Sequence, residues 1–406
     1  MTAAPPRVTV VGVGADGWAG LAPASRAAVE GAEVLLGGKR HLDLLPAGTA
    51  AAAHREPWPS PLLPSLPALL ERYAGRRVVV LASGDPFVSG IGTTLVDLLG
   101  AEAVTALPAV SSVALARARL GWAAESCDVV SVVGRDLDVL RRHLTPGRRL
   151  LVLSADGGTP AEVAALLVAS GCGGSRLEVL SDLGARTEAR TGTTADAWTG
   201  PAPSLNVVAV EVRVDPGARA FAAVPGLPDE AFEHDGQLTR RDLRALALSR
   251  LAPAPGQLLW DVGAGAGSVG IEWARTDPRC RTVAVERSPE RAARVARNAA
   301  RLGVPSVRVV TGSAPAALAA LPDPDAVFVG GGATEPGALE AAWQRLGPGG
   351  RLVVHAVTLE TEDVVRAWHR RVGGELARVA VEHAEPLGSF TGWRPARPVV
   401  QWAVVR

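Results

Sequence analysis

Residues 258–268 read Leu258-Leu-Trp-Asp261-Val-Gly263-Ala264-Gly265-Ala266-Gly267-Ser268. An apolar run of strand length ends near a carboxylate, turns through three alternating glycines and opens a helical pattern. Glycine lets the backbone turn sharply and approach a ligand closely. A dinucleotide fingerprint needs G-x-G-x-x-G. Counted from Gly263, the sixth position is Ser268, and the third glycine arrives one residue early. The spacing favours the G-x-G-x-G loop that holds the methionine part of S-adenosylmethionine, where there is no pyrophosphate to cradle.

The flanks repeat the same rhythm. Thr239 precedes a helical pattern with Leu243, Leu246, Ala247 and Leu251 on one face, and with Asp242 it forms a T-x-x-D capping pattern. Strand 281–286 ends on Glu286, whose carboxylate can accept both ribose hydroxyl hydrogens. Ser288-Pro289 reads as an N-cap with a first-turn proline. One strand later come Gly312, Ser313 and Ala314, where an adenine ring would lie, and then the open floor Gly330-Gly331-Gly332. Alternating strands and helices predict a parallel sheet with helices on both faces, closed by strand 399–405. Asp261, the three glycines, Glu286 and Gly312 on consecutive strands favour a methyl-donor site over a bare packing turn. A nicotinamide-dependent oxidoreductase on the same sheet is the second reading.

The N-terminal half is α/β as well. Segments 7–12, 77–82, 128–133 and 148–154 read as buried strands, and 91–99, 111–120 and 159–170 as helices. Pro-rich 57–67 reads as a loop. Two turns stand out: Val11-Gly12-Val13-Gly14, and the compact stretch from Ser83-Gly84-Asp85 through Val88 to Gly92. The amides of the second and its Asp85 can face a ligand or simply cap a helix. Lys39 follows Gly37-Gly38, but Arg40 stands where a P-loop needs Ser or Thr. The Pro-, Gly- and Ala-rich stretch 215–229 reads as the main boundary.

Length and composition limit the rest. A chain of 406 residues suggests two or three domains. A formal net charge of +1 gives no support to nucleic-acid or membrane-surface binding. Cys127, Cys172 and Cys280 lie far apart, so neither a disulfide framework nor a cysteine-built metal site is expected. The histidines lack metal spacing. The start, MTAAPPRVTVVGVG, does not read as a signal peptide and no apolar stretch reaches spanning length, so a cytoplasmic location is expected. Lys39 is the only lysine among 42 basic residues. The many arginines offer bidentate carboxylate binding.

Two sets of motifs carry a resemblance along nearly the whole chain. VGVGADGWAGLAP, GAEVLLGGKRHLDLLP, ASGDPFVSGIGTTL and PAVSSVALARARLGW are similar to tetrapyrrole methylases of the cobalamin pathway. FEHDGQLTRRDLRALALSRL, WDVGAGAGSVGIEWAR, VAVERSPERA, GSAPAAL, VFVGGG, GPGGRLVVHAVTLE and LGSFTGWRPARPV are similar to their class I methyltransferase partners. Both in one chain, in this order, resemble the precorrin-6Y C5,15-methyltransferase (decarboxylating) family.

The resemblance implies a two-lobed α/β tetrapyrrole-methylase domain over 1–215, a linker over 216–229, and a Rossmann-like class I methyltransferase domain with a seven-stranded, mostly parallel sheet over 230–406. It implies S-adenosylmethionine at two sites. One would use Ser83, Gly84, Asp85, Val88, Ser111 and Ser112. The other would use Thr239, Gly263, Ala264, Gly265, Ala266, Gly267, Glu286 and Ala314. It further implies a carboxylate-rich precorrin substrate, C5 methylation in the first half, and C15 methylation with loss of the C12 acetate carboxylate in the second. Relatives of both halves commonly self-associate, so a homo-oligomer is expected. His234, Arg240, His355 and Arg394 are candidates for carboxylate or proton contacts. The sequence departs from the family pattern at Gly14-Ala15-Asp16, Ser313 and His355. A third reading is a non-catalytic N-terminal binding module attached to one active methyltransferase.

Overall fold

The computed structural model describes residues 7–406. Residues 1–6, part of the start read as no signal peptide, lie outside the described residues. The chain forms two compact units, 7–135 with 146–218 and 136–145 with 219–406.

The first unit holds two five-stranded sheets. One contains β1 (Val8–Val13), β2 (Val34–Gly37), β3 (His54–Pro57), β4 (Val78–Ser83) and β5 (Val104–Leu107), in the order β3-β2-β4-β1-β5. All its pairings are parallel. Val8, Val10, Val11 and Val13 are all buried, which is why β1 reads as a continuous valine-rich run rather than an alternating one. The other sheet contains β6 (Asp128–Ser131), β7 (Arg149–Leu153), β8 (Arg176–Ser181), β9 (Ala189–Thr194) and β10 (Asn206–Glu211), in the order β6-β7-β10-β8-β9. Only β6 and β7 are parallel in it.

One expectation fails here. The Pro-rich stretch contains the start of a helix, Leu62–Arg72. A proline in the first turn costs no hydrogen bond, because those amides have no helical partner. Burial of Leu66, Leu69 and Leu70 outweighs the penalty of Pro67 inside the helix.

The second unit carries β11 (Leu258–Val262), β12 (Arg281–Glu286), β13 (Arg308–Thr311), β14 (Ala326–Val329), β15 (Arg351–Ala356) and β16 (Glu375–Val379). A hairpin follows, β17 (Glu382–Leu387) and β18 (Phe390–Pro395), and β19 (Val399–Val405) closes the chain. The main sheet has seven strands in the order β13-β12-β11-β14-β15-β19-β16. Strand β19 inserts antiparallel between β15 and β16, and the remaining pairings are parallel. Three tryptophans, Trp260, Trp273 and Trp402, are fully buried in this unit. The indole N–H groups of Trp260 and Trp402 donate to the carbonyls of Pro322 and Gly373.

Part of the stretch expected as a linker is pinned into the second unit. The amides of Gly226 and Leu227 donate to the buried Glu272 carboxylate at 2.6 and 2.9 Å. Arg244, fully buried, donates to the other side of the same network: to Glu272 at 2.6 Å, to Asp229 at 3.2 Å, and to the carbonyls of Leu227 and Thr239. The cap also differs from the expectation. Helix Arg241–Leu251 has Arg240 at its N-cap and no side-chain cap bond, because the cap falls one residue after Thr239 on a guanidinium, which has no acceptor.

Candidate functional sites

The glycine turn after β11 folds as its spacing demands. Gly263, Gly265 and Gly267 all take left-handed backbone angles, φ of 68°, 58° and 76°. A Cβ on Gly263 would stand 2.6 Å from the Gly331 carbonyl oxygen, and one on Gly265 would stand 2.7 Å from that of Gln237. Two further loops therefore cross this turn at backbone distance, and glycine alone fits the contact. Helix Ser268–Thr276 starts directly behind the turn.

A cavity of about 970 Å³ opens in front of it. Thr239, Gly263, Ala264 and Gly265 line this cavity, as does Gly330 of the triple-glycine floor. Ala266, Gly267, Glu286 and Ala314 are not in the lining. Ala266 and Ala314 belong to the buried core, and Gly267 packs on Val295. Glu286 sits behind the turn, 4% exposed. Its carboxylate accepts the amides of Gly265 at 2.9 Å and Ser288 at 3.0 Å, one on each oxygen. Each oxygen keeps acceptor capacity for a hydroxyl. The turn is a cradle that a side chain would fill, and a carboxylate stands next to it. These residues fit a nucleoside-bearing methyl donor. Ser288 caps helix Pro289–Arg301 by accepting the Arg291 amide, as the sequence reads.

Asp261 holds this turn from below. It is buried, and its carboxylate accepts the Gly270 amide at 2.9 Å. Burial pushes its pKa up to about 7, with the nearby Glu286 charge adding to the rise.

Of the candidate carboxylate or proton contacts, Arg240, His355 and Arg394 line the cavity, and His234 does not. His355 is buried, with Nε2 bonded to Gln401 at 2.9 Å and its ring edge-on to Phe328. Burial lowers its pKa, keeping the ring neutral near pH 7. Sequence reasoning missed Arg241, His383, Glu385 and Arg397 on this wall. His383 and Arg394 face each other across the β17–β18 hairpin. A readable signal existed: a short turn at Gly388-Ser389, with φ of 63° at Gly388, between two strand-like runs.

The first unit has its own cavity, of about 350 Å³. Ser83, Gly84, Asp85, Val88, Ser111 and Ser112 all line it. They sit where β4 and the loop after β5 end, with residues of β7, β8 and β10 opposite. The Gly12 turn matters here too. A Cβ on Gly12 would stand 1.9 Å from the Gly84 carbonyl oxygen, so this glycine lets the β4 loop cross β1. Gly84 itself takes φ of 51°. One Asp85 oxygen accepts the Phe87 amide at 2.9 Å. Ser111 caps helix Ser112–Leu120 by accepting the Ala114 amide at 3.1 Å. Ser83 meets Arg40, which the sequence reads only as a break in a P-loop pattern, and His41, which it does not single out.

Among the described residues no group of three or more His, Cys, Asp or Glu is placed to hold a metal ion. No helix there is long and apolar enough to cross a membrane.

Comparison with known proteins agrees with both halves. Residues 7–197 match the tetrapyrrole (corrin/porphyrin) methylases, and residues 230–406 match the precorrin methyltransferase domain. A precorrin-6Y C(5,15)-methyltransferase (decarboxylating) from Sinorhizobium sp is 49% identical over 98% of this chain and 96% of its own length. One of the same description from Mycobacterium tuberculosis is 45% identical over 98% of this chain and 100% of its own. The crystal structure of the C-terminal domain of precorrin-6Y C5,15-methyltransferase from Rhodobacter capsulatus shares 45% identity. It covers 46% of this chain and 100% of that one, with a TM-score of 0.44. The chain belongs to the precorrin-6Y C(5,15)-methyltransferase (decarboxylating) family.

Proposed function

We propose that this chain transfers methyl groups from S-adenosylmethionine to C5 and C15 of precorrin-6Y, with decarboxylation of the C12 acetate, in cobalamin synthesis. The first unit would methylate C5, and the second would methylate C15 and release CO2. Each unit would hold its own donor molecule. The observation that carries this reading is the pair of cavities, one per unit, each bordered by a glycine turn at the end of a parallel strand.

When bound, the donor supplies a methyl group already activated on a sulfonium sulfur. The work left to the protein is alignment and exclusion of water. Gly263 and Gly265 would bring the backbone against the donor, and Glu286, which fixes the Gly265 amide from behind the turn, would be the acceptor for its hydroxyls. Gly330 and its glycine neighbours leave a floor without side chains, so a flat ring can reach the methyl group. Arg241 and Arg397 line the same cavity and make no ion pair among the described residues, which suits a ring rimmed with carboxylates. The second unit has no lysine, so its decarboxylation cannot use a Schiff base. The conjugated ring accepts the electron pair left when CO2 departs.

Incubating the full chain with precorrin-6Y and isotopically labelled donor tests this directly. Product mass spectrometry is expected to show two transferred methyl groups and one lost CO2. Asp85→Ala is expected to remove only the C5 methyl. Loss of the C15 methyl instead would reverse the assignment of the units.

A further inference from the structure

Arg40, His41 and Ser83 meet in the first unit's cavity, although they lie 42 and 43 residues apart in pairs along the chain. Strand β2 runs beside β4, and this pairing brings the residues after β2 to the end of β4. Arg40 Nη2 donates to His41 Nε2 at 2.8 Å and to Ser83 Oγ at 3.1 Å. Ser83 Oγ also lies 2.9 Å from His41 Nε2. A guanidinium only donates, so His41 Nε2 must be the acceptor and the ring proton sits on Nδ1. Burial and the Arg40 charge lower the His41 pKa to about 4, so the ring stays neutral and accepting.

This contact holds one corner of the guanidinium and leaves Nε and Nη1 without a hydrogen bond among the described residues. Arg40 also makes no ion pair there. Asp182 acts on it only at longer range, and burial lowers its pKa. Asp85 is the other charged side chain of the lining, and one of its oxygens holds the Phe87 amide. Much of the remaining wall is apolar, including Val13, Leu81, Leu153 and Leu180. An exposed, unpaired guanidinium held at one corner beside such a cavity is set to receive a planar anion with two oxygens.

We propose that Arg40, oriented by His41 and Ser83, is a seat for a ligand carboxylate in the first unit. This rests on the methyltransferase reading above, which supplies two sources of that group: the acetate and propionate arms of the macrocycle, and the methionine end of the donor. His41 is a positioning residue, and Arg40 makes the contact.

The full chain and its Arg40→Gln and Arg40→Lys variants test the seat with three probes. S-adenosylhomocysteine carries the donor's carboxylate. Methylthioadenosine lacks it. Uroporphyrin is a stable macrocycle rich in carboxylates. If Arg40→Gln weakens S-adenosylhomocysteine about tenfold at one site and spares methylthioadenosine, the seat takes the donor. If it weakens uroporphyrin about tenfold and spares both nucleosides, the seat takes the macrocycle. Arg40→Lys keeps the charge without the fork and is expected to fall between. It also stands in if the glutamine variant does not fold. All three probes unchanged within twofold, or no binding of any probe by the wild type, would overturn the seat. Wild type binding a single S-adenosylhomocysteine, with uroporphyrin still dependent on Arg40, would overturn the two-donor reading and leave the seat intact.

Discussion

Asp261 shows how one residue links the turn to its foundation. In the unfolded chain its carboxyl would titrate in the ordinary range near 4. In the fold it stays protonated up to about 7. The folded state therefore binds a proton that the unfolded state has released, and stability from this group is lost as pH rises from about 4 through about 7. Asp261→Asn has no such proton to lose. The Tm difference between variant and wild type is expected to shift in favour of the variant across that window. A difference independent of pH would show that Asp261 is ionised in the fold. At this scale the sequence was partly legible. Ser83, Gly84, Asp85, Val88, Ser111 and Ser112 all line their cavity. Glu286 ends β12 and Ala314 lies in the turn after β13, yet both sit behind the surface, because spacing marks the end of a strand and not which side of a turn is open. Arg40 was read only as a break in a P-loop pattern, and His41 was not singled out. Their meaning comes from β2 lying beside β4, which no local pattern announces.

The elements of the second unit are tied together by the Arg244–Glu272 pair. Both side chains are buried, and they bind helix Arg241–Leu251 to helix Ser268–Thr276 and to the 226–239 segment. The same segment carries Gln237 across Gly265 and Thr239 to the cavity. Breaking one partner of a buried pair leaves the other charge uncompensated and costs about 3–5 kcal/mol. Glu272→Gln is expected to lower protection of the β11 amides from hydrogen exchange by that scale and to weaken donor binding in this unit. Protection equal to wild type would show that the pair contributes no net stability. Periodicity read the long helices and valine-rich strands well. It missed short strands such as β3 and β5, which span too few residues for an alternation to stand out. It also missed the helix after Pro61, where tertiary burial of three leucines overrides proline composition.

At the scale of the molecule, one chain carries two units built on different sheets, and each unit has its own cavity. The parallel sheet of the second unit was legible in its alternating strand and helix signals, but the order of its strands and the antiparallel course of the closing strand were not. The two-lobed first unit was legible mainly through resemblance, because its glycine turns are individually weak signals. The most direct measurement is a calorimetric titration of the full chain with S-adenosylhomocysteine, repeated on Gly263→Val. Valine there meets the Gly331 backbone at a left-handed φ, so the second unit's cradle is closed while the first unit is untouched. The account predicts two molecules bound per wild-type chain and one per variant chain. One or none bound to wild type, or two still bound to the variant, would contradict it.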